Sequence, residues 1–310
     1  MNSESTQSPE MLGTGAGLMP DPAELSTMNY QHTHNTAPTR IAQVGGMRLA
    51  YRRFGNRAGT PIVLLQHFMG NLDNYDPAIT DALASRREVI LTDNAGVGLS
   101  TGEAPKTVSG MARDAASLID ALGLDHVDVF GFSMGGYVAQ QIAVDRPELV
   151  RRLMLVGTGP RGGEGMAQLA PDTAPLFGKV YDPQDLMWLP IFFSPSDASQ
   201  SAGRRFLERI RARTEDRDAP VSEVTVAAHS AAAREWGAPS PGSFDSLKSI
   251  HHPTLVVNGS NDIVVPTVNS YILQQNLPDA ELILFPDSNH GSHFQFTEQF
   301  NRYATNFLDR

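Results

Sequence analysis

Short apolar runs alternating with helical patterns dominate this sequence, and few folds accommodate that alternation. Ile62-Val63-Leu64-Leu65, inside the run Pro61–Gln66, leaves no polar side chain for a wet face. Such a run suits a strand of a parallel sheet buried on both faces. Asp76–Ser85 reads next as a helix and Glu88–Thr92 as a strand. Val108–Leu122 sets Met111, Ala115, Leu118, Ile119 and Leu122 on one helical face and stops at Gly123. Val127–Phe130 is a strand, Tyr137–Val144 a helix halted before Pro147, and Val150–Val156 a further strand. The alternation resumes with strand Thr254–Asn258, helix Thr267–Gln275, strand Glu281–Phe285 and a last helix near Glu298–Leu308. Ahead of it all, Ile41–Val44 and Arg48–Phe54 flank Gly45-Gly46, a hairpin signal. The expected fold class is therefore α/β, with a mostly parallel sheet, helices on both faces and an antiparallel edge.

Between residues 157 and 246 no strand is legible. Helical stretches Gln184–Phe193, Ala202–Arg213 and Ser222–Trp236 are separated there by Pro and Gly clusters. The expected organisation is an N-terminal arm over 1–36, a core over 37–156 and 247–310, and a helical cap insertion over 157–246. In open α/β sheets the site lies at the carboxyl ends of the strands, so the cap would roof it. The arm is rich in Ser, Thr, Gly, Pro and Asn and reads as mobile or loosely docked. It lacks the basic and apolar regions of a secretory signal, and no window approaches a membrane span.

The formal net charge of −10 argues against a general nucleic-acid binder. Glu4, Glu10, Asp21 and Glu24 lie in the arm with no Lys or Arg before Arg40, so the body is only mildly acidic. Cysteine is absent, which excludes disulfides, cysteine metal sites and a cysteine nucleophile. Its absence fits a reducing compartment, and the expected location is cytoplasmic.

The sharpest local signal is Gly131-Phe132-Ser133-Met134-Gly135, directly after one strand and directly before a helix. The flanking positions must lack side chains for strand and helix to approach, and the turn lifts the Ser133 hydroxyl out of the sheet. The helix N-terminus behind it favours developing negative charge. The plainer reading is a glycine-rich turn with an incidental serine.

A neutral serine needs a base and an orienting acid. These should follow in the order acid, histidine, on loops after later strands. Asp262 follows the strand Thr254–Asn258, although a turn-forming aspartate capping the helix after Pro266 would look the same. After Glu281–Phe285, His290 and His293 compete; His290 sits nearer the strand end, and His293 reads as a packed neighbour. The oxyanion donors should be the backbone N–H groups of Met134 and of Phe68, in the loop Gln66–Gly70.

These residues together resemble the α/β-hydrolase superfamily, over about residues 40–310. Asp93-Asn94-Ala95-Gly96-Val97-Gly98-Leu99-Ser100 is similar to the D-x-x-G-x-G-x-S loop of its esterase, haloperoxidase-like and meta-cleavage hydrolase branches. The resemblance implies an eight-stranded sheet, a structural role for Asp93, and a catalytic histidine ten positions before a helix phenylalanine. His290 and Phe300 match that spacing, and His293 does not. Phe68 and Asn289 stand where many relatives have glycine. Serine at the elbow disfavours the epoxide-hydrolase and haloalkane-dehalogenase branches, which use aspartate there.

In the cap, Trp188, Phe192 and Phe193 read either as packing or, with His67, as a substrate pocket. Arg204, Arg205, Arg209, Arg211 and Arg213 read as a solvated helix face, with one inward arginine for a substrate carboxylate as the alternative. The expected function is a serine hydrolase of small carboxylic esters with the triad Ser133, Asp262 and His290. It needs no cofactor and no metal and has no nucleic-acid or membrane partner; a homodimer is the prior for its assembly. The alternatives are C–C hydrolysis of diketones, lactone hydrolysis or perhydrolysis by the same triad, or a non-hydrolysing small-molecule receptor.

Overall fold

The computed structural model, which describes residues 32–310, joins eight strands in one sheet. They are β1 (Arg40–Val44), β2 (Met47–Gly55), β3 (Ile62–Leu65), β4 (Glu88–Thr92), β5 (Val127–Phe132), β6 (Val150–Val156), β7 (Thr254–Gly259) and β8 (Ala280–Phe285). Their order across the sheet is β1-β2-β4-β3-β5-β6-β7-β8. β1 and β2 form the expected antiparallel hairpin, and β2 also runs antiparallel to β4. Gly45 and Gly46 both hold positive φ, at 53° and 87°, as a two-residue turn between right-twisted strands requires. All other neighbours are parallel.

Successive side chains along the central strands enter opposite layers. Ile62, Leu64, Phe130, Phe132, Met154, Val156, Leu255 and Val257 belong to one core cluster. Val63, Leu65, Val127, Val129, Leu153, Leu155 and Val256 belong to the other. This is why the strands read as continuous apolar runs rather than alternating ones. The first layer is closed by α1 (Pro77–Ala84) and the last helix, Thr297–Leu308, through Ile79, Leu83, Phe300 and Phe307. The second is closed by α2 (Val108–Ala121) and α3 (Met134–Asp145), through Met111, Ile119, Val138 and Ile142. Caps fix where helices begin: Asp76 accepts from Ala78 N–H before α1, and Thr107 accepts from Gly110 N–H before α2.

The segment between β6 and β7 carries no strand. It holds α4 (Ala174–Gly178), α5 (Trp188–Phe192), α6 (Asp197–Arg211) and α7 (Glu223–Gly237). The stretch expected as one helix, Gln184–Phe193, is a 3-10 turn over Gln184–Met187 followed by the short α5. After β7 come α8 (Val268–Asn276), then α9 (Ser292–Gln295) and α10 (Thr297–Leu308) beyond β8. No helix of the described residues is long and apolar enough to cross a membrane.

Of the expected arm, residues 1–31 lie outside the described residues. Its final residues are docked, beginning with His34. His34 is buried, its Nδ1 lies 2.9 Å from Thr80 Oγ1, and its backbone N–H donates to Asp81 at 2.7 Å. Burial, with Arg52 and Arg213 nearby, lowers its pKa to about 3, so it packs as a neutral ring. Arg213 donates to the Asn35 and Ala37 carbonyls, each at 3.0 Å.

A buried polar network ties the cap to the loop after β3. Arg52 donates to Asp73 at 2.7 Å and to the Asp216 carbonyl at 2.9 Å, and Asp73 accepts from Asp218 N–H at 2.7 Å. Leu72 N–H is shared by Asp93 and Asp218. Burial and the neighbouring Asp218 push the Asp93 carboxyl well up. Ser100, at the end of the same loop, accepts from Ala50 N–H and binds that loop to β2.

Candidate active site

β5 runs two residues further than its apolar run suggested, to Phe132, and α3 begins at Met134. Ser133 is the single residue between them, with φ 54° and ψ −119°. Such a backbone costs about 1–3 kcal/mol outside a supporting frame. The frame is dense. Ser133 N–H donates to the Val156 carbonyl at 2.9 Å, and the Ser133 carbonyl accepts from Gly136 N–H and the Thr158 hydroxyl, each at 2.8 Å.

The glycines around it are required by contact. A Cβ on Gly131 would stand 2.6 Å from Gly136 Cα, and one on Gly135 would collide with the Leu65 carbonyl of the neighbouring strand. Gly135→Ala is therefore expected to destabilise the fold by about 3 kcal/mol, because the colliding group is strand backbone and cannot rotate away. Urea unfolding checks this; a loss below about 1 kcal/mol would contradict the close-packed elbow.

Asp262 lies in the loop after β7 and His290 in the loop after β8. His290 Nε2 is 2.8 Å from Ser133 Oγ, and His290 Nδ1 is 2.8 Å from Asp262 Oδ2. Asp262 Oδ1 accepts from the Val264 and Val265 N–H groups at 2.8 and 3.0 Å, which fixes the carboxylate plane. All three side chains are buried. The donor on His290 Nδ1 can only be an N–H facing a carboxylate, so Nε2 presents its lone pair to the serine hydroxyl.

The cap grips the histidine loop. Asn289 donates to the Phe193 carbonyl at 3.1 Å, and Gly291 N–H donates to the Phe192 carbonyl at 2.9 Å. Asn289, unlike the glycine of many relatives, thus supplies a tether to α5. His293 is held apart from the serine, with its ring against Phe132 at 4.4 Å and its pKa driven well down by burial.

Met134 is the first residue of α3, where an N–H has no acceptor within the helix. Met134, Phe68 and Ser133 line one cavity of about 480 Å³ with His67 and His290. Neither the Met134 nor the Phe68 N–H has a hydrogen-bond partner among the described residues. His67 Nδ1 donates to the Phe68 carbonyl at 2.8 Å, and burial lowers this histidine to about 3. Its ring sits edge-on against Phe132, Trp188 and Phe192, so it braces the loop.

Trp188 and Phe192 line the cavity. Phe193 does not: at the end of α5 it turns toward Phe206 of α6 and borders a different cleft, on the far side of Asp262. None of the five cap arginines singled out in the sequence lines the cavity. Arg209 clamps Asp76 through two hydrogen bonds of 2.7 and 2.5 Å, Arg211 pairs with Asp185, and Arg213 holds the chain near Ala37. Arg204 and Arg205 are exposed.

Among the lining residues that sequence reasoning missed are Tyr137, Ser230, Arg234 and the loop Met166–Leu169. Tyr137 was within reach, because it follows Ser133 by four residues and so shares its helix face. Burial and the Asp262 charge push its hydroxyl pKa up, keeping it a donor. No local pattern marks the other residues.

The strand order, the cap position and this site define an alpha/beta hydrolase. The sequence model of the alpha/beta hydrolase fold matches residues 60–297, and the chain belongs to that family. An alpha/beta hydrolase fold protein from Chitinophaga pinensis is 41% identical, with a TM-score of 0.84 over 90% of this chain and 99% of that one. A protein of Azorhizobium caulinodans provisionally named carbamate hydrolase RutD is 28% identical over 86% of this chain and 97% of its own. A 2-hydroxy-6-oxononadienedioate/2-hydroxy-6-oxononatrienedioate hydrolase of a Pseudomonas species is 26% identical, covering 81% of this chain and 89% of its own.

Proposed function

We propose that this protein hydrolyses small carboxylic esters through an acyl-enzyme on Ser133. The observation that carries the reading is the continuous pair of 2.8 Å hydrogen bonds from Asp262 through His290 to Ser133. In the proposed reaction the Ser133 oxygen attacks the ester carbonyl as His290 Nε2 takes its proton. The oxyanion forms against the Phe68 and Met134 N–H groups, and Asp262 stabilises the imidazolium. His290 then returns the proton to the leaving alcohol. Water, deprotonated by the same nitrogen, attacks the acyl-enzyme and releases the acid and Ser133.

A cavity of about 480 Å³ walled by Trp188, Ile191, Phe192 and Val264 supports an ester with an apolar portion. It is far roomier than a minimal carbamate requires. The name of the Pseudomonas relative favours a second reading, C–C hydrolysis beside a ketone by the same three residues. A panel of alkyl and aryl esters, a lactone, a carbamate and a vinylogous diketone separates these. Esters are expected to give kcat/KM at least about tenfold above the carbamate and the diketone, a gap of about 1.4 kcal/mol in activation free energy. Faster cleavage of the diketone or the carbamate would overturn the ester reading.

A further inference from the structure

The cavity above Ser133 has one permanently charged lining side chain among the described residues, Arg234 on α7. No aspartate or glutamate lines the cavity with it. The neighbouring Glu235 is engaged by Arg161, which itself lies over the Trp236 ring at 4.5 Å. The cap arginines near the core are similarly committed, Arg209 to Asp76, Arg211 to Asp185 and Arg217 to the Ile210 and Arg213 carbonyls. Arg234 is the contrast: it forms no ion pair or hydrogen bond with any described residue.

Its surroundings are polar on one side only. Ser230 lies one helical turn before it and also lines the cavity. Tyr137 of α3, its ring stacked on Trp236 at 5.4 Å, lines the cavity as well. Trp188, Ile191 and Phe192 on α5 supply apolar wall instead. A ligand filling this space meets carbon on one element and a guanidinium on another. The guanidinium offers a planar fork of donors, which matches a carboxylate.

We infer that Arg234 selects esters carrying a carboxylate on the portion remote from the scissile carbonyl, such as half-esters of aliphatic dicarboxylic acids. This rests on the serine-ester reading above. The whole chain has a net charge of −10, so its long-range field repels such a substrate. The preference must therefore arise locally, at the partly solvated arginine. Arg234 is a specificity residue and takes no part in proton transfer.

The test uses matched pairs: the monoethyl esters of succinic, glutaric and adipic acids, each against the ethyl ester whose far carboxylate is a primary amide. The amide keeps the outline and removes the charge. Wild type is expected to prefer the acid in at least one pair by roughly fivefold in kcat/KM, as suits a solvent-exposed charged contact. In R234Q that ratio is expected to fall to about one, with the change in KM for the acid; in R234E it should drop below one. R234K, which keeps the charge without the fork, should retain part of the preference, and added salt should weaken it in wild type. No acid preference in any wild-type pair, or a preference undiminished in R234Q and R234E, overturns the inference while normal amide-ester turnover leaves the ester reading standing. Absence of turnover on every ester, acid or neutral, overturns both.

Discussion

Ser133→Ala is expected to lower kcat on esters by about 10⁶-fold, the scale on which a serine nucleophile and its base act as a unit. Alanine removes only the hydroxyl. The Ser133 backbone keeps its bonds to Val156, Gly136 and Thr158, so the elbow persists. Unfolding free energy should change by less than about 1 kcal/mol, since no cavity larger than one oxygen is made. Initial rates together with urea unfolding of both proteins check the pair of expectations. Undiminished ester turnover in a folded alanine variant would remove Ser133 from the reaction.

Asp262→Asn is expected to cost about 10⁴-fold in kcat with little change in KM. The geometry around Asp262 dictates the reason. One side-chain oxygen must stay toward the Val264 and Val265 N–H groups, because an amide nitrogen there would face two donors. The asparagine NH₂ then points at His290 Nδ1, which must accept rather than donate. His290 is forced into the tautomer with its proton on Nε2, aimed at the serine hydroxyl, and can no longer serve as base. Steady-state kinetics on one ester checks this; a loss below about tenfold would mean that Asp262 does not control the tautomer.

The parts of this site that are local in sequence were legible. Gly131, Ser133 and Gly135 carry their meaning within five residues, because the collisions they avoid lie in the adjoining turn and strand. Ile62–Leu65 and Val150–Val156 announced buried strands because both faces of the sheet are covered. Asp262 and His290 could be chosen from chain order, since each lies in the loop after its strand. The interactions that join distant segments left no such trace. Arg209 meets Asp76 across 133 positions, and Arg52 meets Asp73 within a network completed by the cap. Each of these arginines alone reads as a solvated charge. The break of Gln184–Phe193 into two short turns, and the turn of Phe193 away from the cavity, depend on packing against Phe206 and the histidine loop. Arg234 was invisible for the opposite reason: it has no partner among the described residues, and only the cavity gives it a context.

The mass of the protein, quenched with acid during turnover of an aryl ester, reports directly whether Ser133 becomes acylated. An activated leaving group makes deacylation the slow step, so the covalent intermediate accumulates. An acyl-sized adduct is expected on the peptide carrying Ser133, absent from Ser133→Ala. Sustained turnover with the adduct on another residue, or the same adduct on the alanine variant, would contradict it.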